Sequence, residues 1–306
     1  MVKTLIVIVG PTAIGKTALA VQIAQKFQTE IISADSRQFY IETEIGTAKP
    51  SAVELAAAKH HFINSHHITE NFTVGDFETQ SLAKLNEIFE KNDFAVLVGG
   101  SGLYINAVCN GFDDLPRASA ELRAQLNQDF LDEGIEPLQR RLQELDPLYF
   151  KEVDLHNPQR IIRALEVCIS TGIPFSTYRT RSQKIRPFSC VKIGLNTSRD
   201  QLYDQINKRV DQMIAMGLED EAKNLMPYRH LNALNTVGYS ELFDYFDGKI
   251  TRNEAIEKIK QNTRRFAKRQ LTWFRKDLEI NWFEPSESFN KTQQILLNLP
   301  SINWEP

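Results

Sequence analysis

The sequence predicts an α/β protein: a parallel sheet with helices on both faces, grown around a phosphate-binding loop and carrying a helical insertion domain. Three observations carry this prediction. Short apolar runs at residues 5–9, 30–34 and 94–98 alternate with helix-patterned stretches, as in a parallel sheet covered on both sides. The pattern Gly10-x-x-x-x-Gly15-Lys16-Thr17 follows the first run directly and opens a helix. Near Asp113-Asp114-Leu115-Pro116 the texture changes to helical periods with polar connections. A strand pattern resumes at Val191-Lys192-Ile193-Gly194-Leu195.

The elements follow in order. Residues 5–9 form a strand, 16–27 a helix, 30–34 a strand ending at Asp35, 77–91 a helix, and 94–98 a strand ending at Gly99-Gly100-Ser101. The α/β core comprises residues 1–115 and 189–306, the latter with C-terminal helices, and the insertion comprises 116–188. Inside the insertion, Asn157-Pro158 is a helix start and Gly172 and Pro174 are its end. Ile161, Leu165, Cys168 and Ile169 form the inward stripe of that helix, while Arg160 and Arg163 share another face. A second helix runs over about 253–276. Ile256, Ile259, Thr263, Phe266, Gln270 and Phe274 make its packed stripe, and Lys260, Arg264 and Lys268 its basic edge. The tail after about residue 284 gives no pattern. Ligands of parallel sheets sit at the carboxyl ends of strands, where Gly10, Asp35 and Gly99-Gly100-Ser101 fall.

Composition bounds the function. The chain has 306 residues, 42% hydrophobic and 25% charged, ordinary for a globular protein. No apolar run approaches the roughly 18 residues of a membrane span, and the apolar start runs straight into the glycine loop, unlike a signal peptide. The expectation is a cytoplasmic protein without membrane association. Cys109, Cys168 and Cys190 are few, odd in number and far apart, which argues against a disulfide framework or a zinc site. The net charge of -3 hides two basic segments. Between 157 and 195 stand Arg160, Arg163, Arg179, Arg181, Lys184, Arg186 and Lys192 against Glu166 alone. Residues 251–277 hold a similar excess. Either run alone reads as a solvated face; two of them beside a phosphate loop point to a polyanionic partner.

The loop residues Gly10, Pro11, Thr12, Ala13, Ile14, Gly15, Lys16 and Thr17 lie in the context that gives the pattern its meaning. Backbone N–H groups close around phosphate oxygens, the helix N-terminus adds its positive end, Lys16 a point charge, and the Thr17 hydroxyl a ligand for Mg²⁺. A triphosphate hydrolase also needs an acid ending another strand to hold Mg²⁺. Here "FAVLVGG" ends in glycines, and Asp35 sits in "SADSRQFY". This leaves open a loop that cradles a diphosphate, with the task of stabilising a leaving group.

Over nearly its whole length the sequence resembles the bacterial tRNA dimethylallyltransferases (tRNA isopentenyltransferases). The segments "GPTAIGKT", "IISADSRQFY", "EIGTAKPS", "HHFIN", "FTVGDF", "VGGSGLY", "HNPQRIIRALEV", "NKRVDQMIAMGLEDE", "NTVGYSE" and "TRRFAKRQLTWFRK" follow in that family's order. Ile14 stands where the family usually has Ser, and Ser101 where it usually has Thr. The resemblance implies transfer of a dimethylallyl group from dimethylallyl diphosphate to the exocyclic amine of an adenosine beside the tRNA anticodon, with Mg²⁺. It implies Asp35 as the catalytic acid–base group with Ser101 beside it, and Arg209 as a further donor to the diphosphate. Asp35, Ser36, Arg37, Gln38, Ser101, Arg123, Gln159, Arg160, Ile161, Ile162 and Arg163 are implied to touch the tRNA, the insertion gripping the anticodon stem-loop through phosphates. A monomer is expected.

For each arginine singly, an ion pair within the protein stands as an equal alternative to RNA contact. Asp35 also has an alternative role as a Mg²⁺ ligand or as the cap of a turn. His60, His61, His66 and His67 look like a metal cluster, but no cysteine or carboxylate spacing supports one, and the second pair departs from the family pattern. Trp273 is open between base stacking and packing. Competing readings are a prenyltransferase of free adenine nucleotides, a small-molecule kinase, and a non-catalytic RNA-binding module.

Overall fold

The computed structural model describes residues 3–113, 115–116, 118–180 and 184–298. The chain forms two compact units, one of residues 1–110 with 186–306, the other of residues 111–185.

The first unit is the α/β core. Its first half runs β1 (Thr4–Val9), α1 (Lys16–Lys26), β2 (Ile31–Ser33), α2 (Ala52–Ala57), β3 (His60–His61), α3 (Val74–Lys91), β4 (Phe94–Gly99) and α4 (Gly102–Asn110). The second unit holds α5 (Ala120–Glu133), α6 (Glu136–Leu145), α7 (Pro147–Glu152), α8 (Pro158–Thr171) and α9 (Phe175–Tyr178). The core then resumes with β5 (Ser189–Leu195), α10 (Arg199–Ala215), α11 (Leu218–Leu225), α12 (Tyr239–Phe246), α13 (Arg252–Phe274), β6 (Asn281–Phe283) and α14 (Ser288–Leu297). The sheet order is β3-β2-β4-β1-β5-β6, and every pairing is parallel. From β1 the chain moves outward past β4, then crosses back to β5 on the other side. The reversal of strand order therefore falls beside β1, where sheets of this kind leave a crevice.

Strand alternation splits the core. Leu5, Val7 and Val9 pack on one face with residues of α3 and α4, while Ile6 and Ile8 pack on the other with Leu19, Ile23 and Ile206. A third cluster joins α10 to α13 around the fully buried Tyr239. The second unit has its own core, centred on Leu126, Leu142, Ile161, Ile162 and Leu165.

Departures from the sequence reading have local causes. Helix α3 starts at Val74, three residues early, because Thr73 and Asp76 cap each other reciprocally. The insertion's limits are 111 and 185 rather than 116 and 188. Arg186 belongs to the core, where its guanidinium donates to the carbonyls of Ala107 and Val108 and pairs with Glu78. Helix α14 lies in the tail that gave no pattern; it docks through Thr292 and Leu296, both fully buried. Phe266, expected in the packed stripe of α13, is 39% exposed, because that turn of the helix faces a cavity.

The loop after β2 is anchored by aromatic packing. Phe39 is fully buried, with its ring 5.1 Å from Phe72, 5.4 Å from Phe77 and 5.6 Å from Tyr104. It directly follows residues 35–38 and so fixes where they turn. Replacing Phe39 by Ala is expected to destabilise the protein by about 3–5 kcal/mol. Denaturant unfolding measures this, and a loss under about 1 kcal/mol would contradict the anchoring role.

Candidate active site

The loop between β1 and α1 takes the conformation its glycines permit. Gly15 is left-handed at φ 95° and Ala13 follows suit at φ 66°. At Gly10, with φ 149°, a Cβ would lie 2.7 Å from the Leu195 carbonyl oxygen. The N-terminus of α1 opens at the loop, so unpaired N–H groups and the positive dipole end share one place. Lys16 reaches back over the loop, its Nζ donating to the Pro11 carbonyl at 2.8 Å. The residue is partly exposed, but its ammonium end is enclosed. Burial pushes its pKa down to about 8, Asp35 opposes that shift, and Arg209 adds to it. The Thr17 side chain faces the same cavity, and among the described residues its hydroxyl has no hydrogen-bond partner.

Asp35 ends the run after β2. One carboxylate oxygen accepts from the Arg37 N–H at 3.1 Å. Across from it, after β4, Ser101 Oγ accepts from the Ser36 N–H at 3.1 Å and lies 3.2 Å from Ser36 Oγ. Ser101 N–H donates to the Ala34 carbonyl. Gly99 allows this approach, since a Cβ there would come within 2.2 Å of Ala34 O. Ser101 thus engages Ser36 through its hydroxyl and Ala34 through its backbone N–H.

Arg209, on α10, completes the charged group. Burial lowers its pKa while Asp35 and Glu54 oppose the shift, and its Nη2 donates to the Ala48 carbonyl at 3.3 Å. Gln38 Nε2 donates to the carbonyls of Thr47 and Ala48. The turn carrying those carbonyls is held by Glu221, whose carboxylate accepts from the N–H groups of Glu44, Ile45 and Gly46 and from the Tyr239 hydroxyl.

Two cavities of about 700 and 770 Å³ share Thr12, Asp35, Arg209, Phe266 and Gln270 as lining residues. The larger contains the phosphate loop, Lys16 and Thr17. The smaller is walled by Ser101, Tyr104, Val237, Ile259 and Trp273 among others, and is mostly apolar. Asp35 therefore borders both the cavity that contains the phosphate loop and the mostly apolar one.

Other sequence-derived candidates separate. Arg37 donates to the carbonyls of Asn232 (2.7 Å), Ala233 and Asn235, so its guanidinium shapes the cavity wall rather than reaching outward. In the second unit the side chains of Ile161 and Ile162 are buried in the core. Glu166, 1% exposed, holds Arg123 and Arg163 together; Arg123 Nη2 and Arg163 Nη1 lie 3.0 and 3.1 Å from Glu166 Oε2. The ion-pair alternative is thus realised for both. Gln159 and Arg160, on the outward face of α8, are exposed. The histidines do not converge. His60 Nδ1 meets the Ala58 carbonyl, His61 pairs with Glu30, His66 stacks on Phe72, and His67 pairs with Glu42. Among the described residues no group of His, Cys, Asp or Glu could hold a metal ion.

The IPP transferase family model matches residues 38–277. The chain belongs to the tRNA dimethylallyltransferase family. It is 56% identical over 288 residues to the tRNA dimethylallyltransferase of Christiangramia forsetii, covering 94% of this chain and 95% of that one. It is 51% identical over 306 residues to the Flavobacterium johnsoniae tRNA dimethylallyltransferase, covering 98% and 99%. Among solved structures, the tRNA isopentenylpyrophosphate transferase of Bacillus halodurans superposes with a TM-score of 0.72 at 39% identity, covering 96% of each chain.

Two residues of this family member escape the sequence reading as site residues. Gln270 looks like one more position of a packed stripe, yet it lines both cavities. Glu221 lies among the acids of "GLEDE" with nothing to mark it, although it fixes a wall of the site from a distance. Neither has a spacing signal, because each acts across a separation that only the fold closes.

A pH dependence follows from Lys16. With its pKa near 8, the ammonium that faces the loop cavity is lost as pH rises through that value. The ratio kcat/KM for the phosphate-bearing substrate is expected to fall above about pH 8, and Lys16→Arg, cationic throughout, is expected to remove that limb. A flat profile to about pH 10 in the unmodified protein would contradict the assignment.

Proposed function

We propose that this site transfers the dimethylallyl group of dimethylallyl diphosphate to the exocyclic amine of an adenosine adjacent to the tRNA anticodon, releasing diphosphate. The amine nitrogen bonds to the first prenyl carbon, the carbon–oxygen bond breaks, and its electron pair leaves with the diphosphate. The amine proton goes to a carboxylate. Asp35 is that acceptor, since it alone of the charged groups borders both cavities from the end of a strand. The observation that carries the reading is that Asp35, Lys16 and Arg209 line one cavity, so the proton acceptor and the cations proposed to receive the leaving group face the same space.

The diphosphate lies on the loop N–H groups with Lys16 and Arg209. Thr17, whose hydroxyl has no hydrogen-bond partner among the described residues and faces the loop cavity, would be the protein's ligand to a Mg²⁺ ion. When bound, it would neutralise charge on the diphosphate. Ser101 and Ser36 orient the acceptor side. An adenine reaches the apolar cavity only after leaving its stack, which costs least in a single-stranded loop. Arg160 and Gln159 on the second unit, with Lys268 and Arg269 on α13, are exposed groups suited to RNA phosphates. Cytoplasmic action as a monomer is part of the same proposal. Among the described residues no helix is long and apolar enough to cross a membrane.

Asp35→Asn keeps the side-chain shape and removes the base. Its prenylation rate is expected to fall by about 10²- to 10⁴-fold. Mass spectrometry of tRNA nucleosides after incubation with dimethylallyl diphosphate reads this out, with AMP as the alternative acceptor. Unmodified tRNA, or AMP prenylated in its place, would overturn the proposal.

A further inference from the structure

Gln270 occupies the middle of the site without belonging to the phosphate loop or to a strand end. It is 6% exposed, on a stretch of α13 whose neighbours Lys268 and Arg269 are exposed. Both ends of its amide are used. Oε1 accepts from the Thr12 N–H at 2.9 Å, and Nε2 donates to the Gly100 carbonyl at 3.0 Å. One side chain therefore ties the loop after β1 to the turn after β4. The room for it comes from a glycine: a Cβ on Gly100 would stand 2.2 Å from Gln270 Nε2 and 3.8 Å from Lys16 Nζ. The amide nitrogen and the Lys16 ammonium therefore stand no more than 6.0 Å apart (2.2 plus 3.8 Å), and the amide is neutral. The link continues, because Gly100 precedes Ser101, whose hydroxyl and N–H engage Ser36 and Ala34 on either side of Asp35.

We propose that Gln270 is a positioning residue for prenyl transfer. It sets the spacing between the loop that holds the diphosphate and the wall that carries Asp35 and Ser101, keeping the leaving group and the proton acceptor in register. This rests on the reading that the loop binds diphosphate. Misplacement by about 1 Å in such a site costs about 10²-fold in rate, and an amide anchored at both ends resists that displacement. A carboxylate at this position would still accept from Thr12 but would face the Gly100 carbonyl without a proton. It would also pair with Lys16 in competition with the diphosphate.

The test uses Gln270→Met, which keeps length and packing but removes both hydrogen bonds, and Gln270→Glu, which keeps one. Single-turnover prenylation of tRNA, KM for each substrate, thermal unfolding and calorimetric binding of inorganic pyrophosphate with Mg²⁺ are measured on the full-length protein. The Met variant is expected to lose kcat by about 10- to 100-fold while KM for tRNA stays within about twofold. The Glu variant is expected to bind pyrophosphate more weakly and to move the alkaline limb of kcat/KM to higher pH, since its charge stabilises the Lys16 ammonium. A folded Met variant with wild-type kcat reduces Gln270 to packing and overturns the proposal, as does failure of both variants to fold. Failure of the unmodified protein to bind pyrophosphate would instead sink the reading of the loop.

Discussion

The site depends on enclosing two cations next to one carboxylate. Burial disfavours the charge on both Lys16 and Arg209, and Asp35 is the acid that opposes this for each. Both shifts remain downward, so the one carboxylate offsets part of the burial cost of the two cations but not all of it. The remaining positive charge is a standing preference for an anion with several charges. A diphosphate meets it, and it gains charge as its bond to carbon breaks, when fixed donors count most. Asp35 also lines the acceptor cavity. Leaving-group stabilisation and proton removal are therefore two uses of one arrangement of charge.

The fold serves that arrangement by bringing together residues far apart in the chain. The switch in strand order beside β1 gathers the ends of β1, β2 and β4 into one crevice. Helices α10 and α13 then supply Arg209 and Gln270 from the far end of the sequence. Side chains bonded or packed within the protein hold the walls. Glu221 fixes the turn at 44–46, Arg37 binds three carbonyls near 232–235, and Phe39 anchors the turn after Asp35.

Much of this was legible in the sequence, for reasons that can be named. The strands β1 and β4 read as continuous apolar runs because both of their faces are buried, and the phosphate loop read clearly because its glycines answer to backbone geometry. Asp35 and Ser101 stood out by lying at strand ends. What escaped was whatever needed the third dimension. The two-residue strand β3 and the helix α14 carry too few apolar positions to show a period. Phe266 fell on the inward stripe by its spacing, but spacing cannot distinguish a core from a cavity. Arg123 and Arg163 stood out by the family resemblance, whereas spacing did not show that both pair with Glu166, the single acid of the 157–195 run, which is buried. That acid was in view throughout; its burial was not.

The central claim is that the leaving diphosphate and the reacting amine meet on either side of Asp35. A diffraction structure of the protein with Mg²⁺, inorganic pyrophosphate and an RNA anticodon stem-loop tests it most directly. The account expects pyrophosphate oxygens within hydrogen-bond distance of the loop N–H groups and Lys16 Nζ, with an adenine turned out of the RNA so that its exocyclic amine contacts the Asp35 carboxylate. Pyrophosphate bound away from the loop, or an adenine whose amine faces any group other than Asp35, would contradict it.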